Sequence, residues 1–266
     1  SISYKSRRML ILFLILCITV TLGYPQHEVD RISNGMKTDY GDLPFQVSIA
    51  EKIFDNYFYH FCSGSILDYD NILTSAQCTS EKRTFYVIAG EYDIRNIDSD
   101  EVIIEVMEQV VHENFTTSEL GNDIAIMKLK VPIPKSKYAT PIQMGLKDVN
   151  PVGFECTVAG WGRLREDHYP DVPYQTVVSI IGQRRCNSDL TTADKHVDDN
   201  QICTKGDPLG YTGPCKGDTG APLVCTYGGE MYQLGVTSWF TENCFWNIPT
   251  VYTATTEYQP WIDSHK

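Results

Sequence analysis

Cysteine sets the tightest limit on what this chain can fold into. Of its nine cysteines, eight fall after residue 31: Cys62, Cys78, Cys156, Cys186, Cys203, Cys215, Cys225 and Cys244. An even number at wide spacings predicts four disulfides in an oxidising compartment. Zinc ligation is the rival reading, and it lacks the close C-x-x-C pairs that such sites use. Spacing alone leaves ~105 pairings open. The text between the cysteines is a series of short β-branched or aromatic runs parted by Gly, Pro, Asn and Asp. Examples are Phe45-Gln46-Val47-Ser48-Ile49, Phe85-Tyr86-Val87-Ile88, Cys156-Thr157-Val158-Ala159 and Tyr232-Gln233-Leu234-Gly235-Val236-Thr237. The first helical pattern opens only at Tyr258-Gln259-Pro260-Trp261-Ile262, with proline in its first turn. Many short strands and a late helix predict an all-β barrel or sandwich.

The N-terminus reads as a secretory signal over residues 1–23. Arg7-Arg8 precede an apolar run over residues 9–22, and Gly23 supplies a small residue for cleavage. That run, which contains Cys17, is shorter than the ~20 residues a membrane span needs. Residues 24–31 then read as a short pro-segment and residues 32–266 as one domain, two barrels joined somewhere within residues 131–153. The formal charge is −12. Loss of residues 1–31 removes four cations and two anions and takes it to −14. Such a surface repels phosphate, which argues against nucleic acid as a partner.

Several motifs occur in an order that resembles the chymotrypsin/trypsin family. Arg31-Ile32-Ser33-Asn34-Gly35 resembles its activation junction. His60-Phe61-Cys62-Ser63-Gly64-Ser65 and Leu73-Thr74-Ser75-Ala76-Gln77-Cys78 flank its histidine position. Asn122-Asp123-Ile124-Ala125 resembles the aspartate motif, and Gly160-Trp161-Gly162 opens the second barrel. Gly217-Asp218-Thr219-Gly220-Ala221-Pro222 resembles the nucleophile loop, and Ser238-Trp239 the substrate strand. The resemblance implies two six-stranded antiparallel β-barrels with a short C-terminal helix. It also implies the pairings Cys62–Cys78, Cys156–Cys225, Cys186–Cys203 and Cys215–Cys244.

The resemblance places Gln77 at the general base, Asp123 at the orienting carboxylate and Thr219 at the nucleophile. A neutral amide does not accept and return a proton near pH 7. An internal threonine without its own base is a poor nucleophile. Catalytic residues are therefore expected to be none, and the chain is expected not to be an enzyme. A displaced alignment would leave His60, His112, His168 or His196 as base, against the strict geometry that such triads need. Gly217 and Thr219 keep the amides of an oxyanion hole. The specificity pocket is altered, with an uncharged floor at Gly213 and bulk at Phe240 and Thr250 on its walls. Phe240 is expected to block it, because an aromatic ring gains from burial. Cleavage after Arg31 would free the Ile32 ammonium to pair with Asp218. Residues 91–101 resemble a calcium loop, with Glu91, Asp98 and Glu101 at the acidic positions and carbonyls of Asp93 and Asn96 as further ligands. A solvated acidic hairpin explains the same residues, and no metal or other cofactor is required. Asn114-Phe115-Thr116 is a glycosylation acceptor sequence.

In texture the chain most resembles mite gut proteases of the group 3 allergen type, and among them the inactivated paralogues of the scabies mite. That resemblance implies a secreted pseudoprotease that binds host complement components. Three alternatives are a non-catalytic cofactor in an endogenous protease cascade, a weak hydrolase using Thr219, and a decoy for protease inhibitors. The filled pocket argues against the last.

Overall fold

The computed structural model describes residues 35–55, 57–80, 82–164, 168–206, 213–241, 244 and 248–266. After a short strand β1 (Met36–Lys37), six strands close the first barrel: β2 (Gln46–Phe54), β3 (Tyr57–Ile66), β4 (Asn71–Thr74), β5 (Phe85–Ala89), β6 (Val102–Val111) and β7 (Ala125–Leu129). Their order around the barrel is β2-β3-β4-β7-β6-β5, antiparallel throughout. Side chains two apart on a strand share a face, and Val47 and Ile49 of β2 accordingly meet Val87, Ile104 and Met127 in the core.

The second barrel uses β9 (Glu155–Gly160), β10 (Tyr174–Ile181), β11 (Gln201–Lys205), β12 (Pro222–Tyr227), β13 (Glu230–Trp239) and β14 (Thr250–Ala254). It closes because β9 pairs with both β10 and β12. Between the barrels, β8 (Gln143–Met144) pairs in parallel with β13. The two barrels with a short C-terminal helix are the architecture that the motif order implied.

The structure holds four disulfides: Cys62–Cys78, Cys156–Cys225, Cys186–Cys203 and Cys215–Cys244. Covalent closure of this kind restricts the unfolded chain. One element was absent from the sequence reading, the helix α1 (Gln183–Leu190). Only Cys186 and Leu190 are buried on it. A single i, i+4 pair is too little periodicity to signal a helix. Burial against Val197, Trp239 and Val251 holds it in place.

The C-terminal helix α2 (Gln259–His265) carries Pro260 in its first turn. It buries Trp261 and Ile262 against Leu73, Ile124, Ile126 and Val236, which come from both barrels. Tyr258, just before it, donates its hydroxyl to Asn122 Oδ1 at 2.9 Å and accepts the Asn122 N–H at 3.1 Å. This pins the turn ahead of β7, where Asn122 has φ 56°. The next residue is Asp123, so the packing of the last helix fixes the placement of a buried carboxylate. Among the described residues no helix is long and apolar enough to cross a membrane.

Candidate functional site

Asp123 is fully buried where the barrels meet, and its carboxylate accepts four hydrogen bonds. Ser75 Oγ donates to Oδ1 at 2.5 Å and the Gln77 N–H to the same oxygen at 3.0 Å. Gln77 Nε2 donates to Oδ2 at 2.6 Å, as does Ser238 Oγ, also at 2.6 Å. Gln77 lies in the one-turn 3₁₀ segment Ala76–Cys78 that follows β4, and the Cys62–Cys78 disulfide ties this turn to β3. The second proton of the Gln77 amide goes to the Ser238 carbonyl at 2.6 Å. Both donor positions of that amide are thus committed to fixed acceptors of the scaffold. A neutral amide does not take up and return a proton near pH 7.

Thr219 lies across this cleft, half-buried, between Asp218 and Gly220. Its carbonyl accepts the Ser63 N–H at 2.8 Å, which holds the loop against the first barrel. Gly220 makes that approach feasible. A Cβ there would stand 2.1 Å from the Ser63 carbonyl oxygen, and its φ of 84° suits glycine. Among the described residues, the Thr219 hydroxyl has no hydrogen-bond partner, and the N–H groups of Gly217 and Thr219 have no acceptor. The site therefore combines a hydroxyl, two free N–H groups and a well-held carboxylate, with no proton carrier between them.

The described histidines do not fill that gap. His60 is half-buried, with Nδ1 2.8 Å from Ser48 Oγ and Nε2 2.9 Å from the Gly217 carbonyl. Burial pushes its pKa down to about 4, so the ring is neutral. Nε2–H donates to Gly217 and Nδ1 accepts from Ser48. It braces the Gly217 loop from behind. His112 packs against Tyr258 and Trp261 and accepts the Asn114 N–H through Nδ1. His168 and His196 are exposed, and His196 faces Asp198 at 3.6 Å.

Comparison with known families gives one match, to the trypsin family model over residues 32–262. The chain belongs to the trypsin family. The match spans both barrels and the whole of the site just described.

Thr250, expected on the wall of the specificity pocket, is 8% exposed, and its Oγ1 lies 3.5 Å from where a Cβ on Gly213, the expected floor, would stand. Phe240 is half-buried at the end of β13. Residues 207–212, 242–243 and 245–247 lie outside the described residues.

Asp218 is fully buried and accepts only two donors, the Gly162 N–H at 2.8 Å and the Cys215 N–H at 2.9 Å. Burial raises its pKa to about 6. A carboxylate with a raised folded pKa favours the fold below about pH 4 and loses that contribution as the pH rises through about 6. A buried carboxylate of this kind calls for a cation. The expected one is the Ile32 ammonium, and both Arg31 and Ile32 lie outside the described residues. Cleavage after Arg31 is expected to raise Tm by about 5 °C at pH 7.5 and to change it little at pH 4, where Asp218 is protonated. Scanning calorimetry of cleaved and uncleaved chain at the two pH values checks this. Equal shifts at both would separate Asp218 from Ile32.

In the acidic loop, the Glu91 and Glu101 carboxyls stand near enough to interact, while Asp98 contributes its carbonyl to the Glu101 N–H at 3.3 Å. Among the described residues no three acidic side chains stand close enough to share an ion. Asp98's carboxylate is thus not brought into the pair. Oε1 of Glu91 and of Glu101 is buried without a donor. Burial, and then the neighbouring carboxylate, pushes Glu91 far above the ordinary range, and burial raises Glu101 as well. Two orphaned hard oxygens on one loop fit a calcium ion, and carbonyls of Asp93 and Asn96 would complete its shell. Raised carboxylate pKa values weaken the fold as the pH climbs from about 4.5. Millimolar calcium is accordingly expected to raise Tm at pH 8 and to have little effect at pH 5. In a Glu91→Gln, Glu101→Gln variant the calcium shift at pH 8 should vanish.

Asn114 is exposed in a turn after β6, with its side chain free to carry a glycan. The sequence reading singled out neither Ser75 nor Ser238 as partners of Asp123. Both sit within the motifs quoted, and a hydroxyl beside each triad position was the available signal.

Proposed function

We propose that this chain is a secreted trypsin homologue that does not cleave peptides and acts by binding other proteins, with host complement components as its targets. One observation carries the reading. The Gln77 amide is spent on Asp123 and Ser238, and the Thr219 hydroxyl faces no base. General-base removal of the nucleophile's proton, on which acyl transfer by such a site depends, has no residue to perform it. The four disulfides and the signal-like residues 1–23 support export, since disulfides persist in oxidising compartments. Cysteines and core are kept while base, nucleophile and pocket differ together. That pattern fits retention of a scaffold for binding. Complement as target rests on the likeness to the inactivated mite paralogues.

The test is capture from mammalian serum on the immobilised, folded chain, with an active trypsin-like enzyme of mite origin as matched control. Selective retention of complement components, with slower lysis of sensitised erythrocytes in the presence of the soluble chain, is expected. Retention no different from the control sinks the complement reading. Retention of the animal's own zymogens instead would make the chain a cofactor of an endogenous cascade.

A further inference from the structure

A groove of about 690 Å³ lies on the second barrel, away from the cleft. It runs between the connection over residues 146–152 and the ends of β10, β11 and β14. Neither Gln77, Asp123 nor Thr219 lines it. Two features of its lining ask for a partner at once. Its apolar walls include Val149, Ile180 and Ile202. Its rim carries Asp148, Asp199 and Glu257, all exposed, and none of them ion-paired with another described residue. Lys147 is the only cation among the lining residues. Gln201 also lines the groove, at 8% exposure. Its Oε1 accepts the Asp198 N–H at 3.2 Å, and its Nε2 is buried with no acceptor among the described residues.

A buried donor without an acceptor is a standing cost to the fold, and unpaired rim carboxylates attract cations. Each class of ligand meets these features differently. A nucleic acid or an acidic lipid surface is repelled by the rim and by a chain of charge −12. A purely apolar ligand leaves the rim unanswered. A peptide segment supplies both complements: apolar side chains for the walls, and lysine or arginine for the rim. The volume falls within the range of ~300–1,000 Å³ that holds ligands, room for a few residues of chain.

We infer that this groove is a docking site for a basic, apolar peptide segment of a partner protein, steered by Asp148, Asp199 and Glu257. The inference extends the reading of the chain as a binding protein by naming the face that binds and the chemistry it accepts. The groove itself does not depend on the loss of catalysis.

Two blocked heptapeptides test it on the full folded chain, one alternating lysine with leucine and one alternating glutamate with leucine. Nitrogen-15 NMR reads the side-chain amide of Gln201 and the backbone of Ile202 and Val152, and fluorescence anisotropy reads affinity. The lysine peptide is expected to bind below millimolar concentration and to shift those signals, and the glutamate peptide is expected not to bind. Asp199→Asn with Glu257→Gln should weaken binding at least fivefold. The two acids are exposed, so that pair of changes keeps the fold. No binding at 1 mM, equal binding of both peptides, unchanged affinity in the acid variant, or shifts confined to another face would each overturn the inference. The same variant separates this claim from the wider one. If it captures serum partners as well as the parent chain does, the groove is wrong and the binding reading stands. If the parent chain captures nothing, the binding reading itself fails.

Discussion

Restoring two residues should turn the chain into a measurable esterase. With Gln77→His and Thr219→Ser together, hydrolysis of p-nitrophenyl acetate is expected to rise at least ~10³-fold, with each single change giving less than about tenfold. The asymmetry follows from the site. Asp123 is already buried and hydrogen-bonded, and the N–H groups of Gly217 and Thr219 are already free. An imidazole at position 77 would take the place of the amide that donates to Asp123 Oδ2. It would then present its other nitrogen to a serine hydroxyl. Either change alone leaves a base without an unhindered nucleophile, or a nucleophile without a base. A small acetyl ester is the right substrate, because Thr250 and Phe240 no longer have to admit a long side chain. Stopped-time absorbance assays on the four proteins decide it. Equal rates for the parent chain and the double variant would contradict the account of the loss.

The second large effect is on stability. Asp123→Ala is expected to lower unfolding free energy by on the order of 4 kcal/mol, since four donors to one buried carboxylate lose their acceptor together. Hydrogen bonds to a charged group count for about 1.5–3 kcal/mol each, and partial relaxation of the site, with water taking up some of the donors, brings the sum down. Gln77→Ala removes one donor from a well-supplied acceptor and should cost only about 1 kcal/mol. In this protein the carboxylate therefore acts first as a strut between barrels. The Thr253 hydroxyl, 2.8 Å from the Asp123 carbonyl, adds a further tie to the second barrel. Urea unfolding of the two variants measures the difference. A loss below about 1 kcal/mol for Asp123→Ala would mean that these hydrogen bonds are readily replaced by water.

The two barrels were legible because strand-like runs and motif order reinforce each other over most of the chain. The positions of Gln77, Asp123 and Thr219 were legible for the same reason, each lying inside a quoted motif. What each side chain touches was not. His60 looked like a stray candidate base, because its partner Gly217 is 157 residues away and joins it only through barrel packing. The α1 helix was hidden by its two-residue buried face. Asp98 looked equivalent to Glu91 and Glu101 in sequence, yet only the latter two side chains meet. The groove beside Gln201 was invisible for a similar reason. It assembles the connection between the barrels with strand ends far apart in the chain.

The most direct test of the central claim is covalent labelling of the folded chain, cleaved after Arg31, with an excess of fluorophosphonate and read by intact mass. An active trypsin-like enzyme under the same conditions supplies the adduct mass. This account predicts an unmodified chain after complete labelling of the control, because Thr219 has no base to raise its nucleophilicity. A stoichiometric adduct that maps to Thr219 would show a working nucleophile and contradict it.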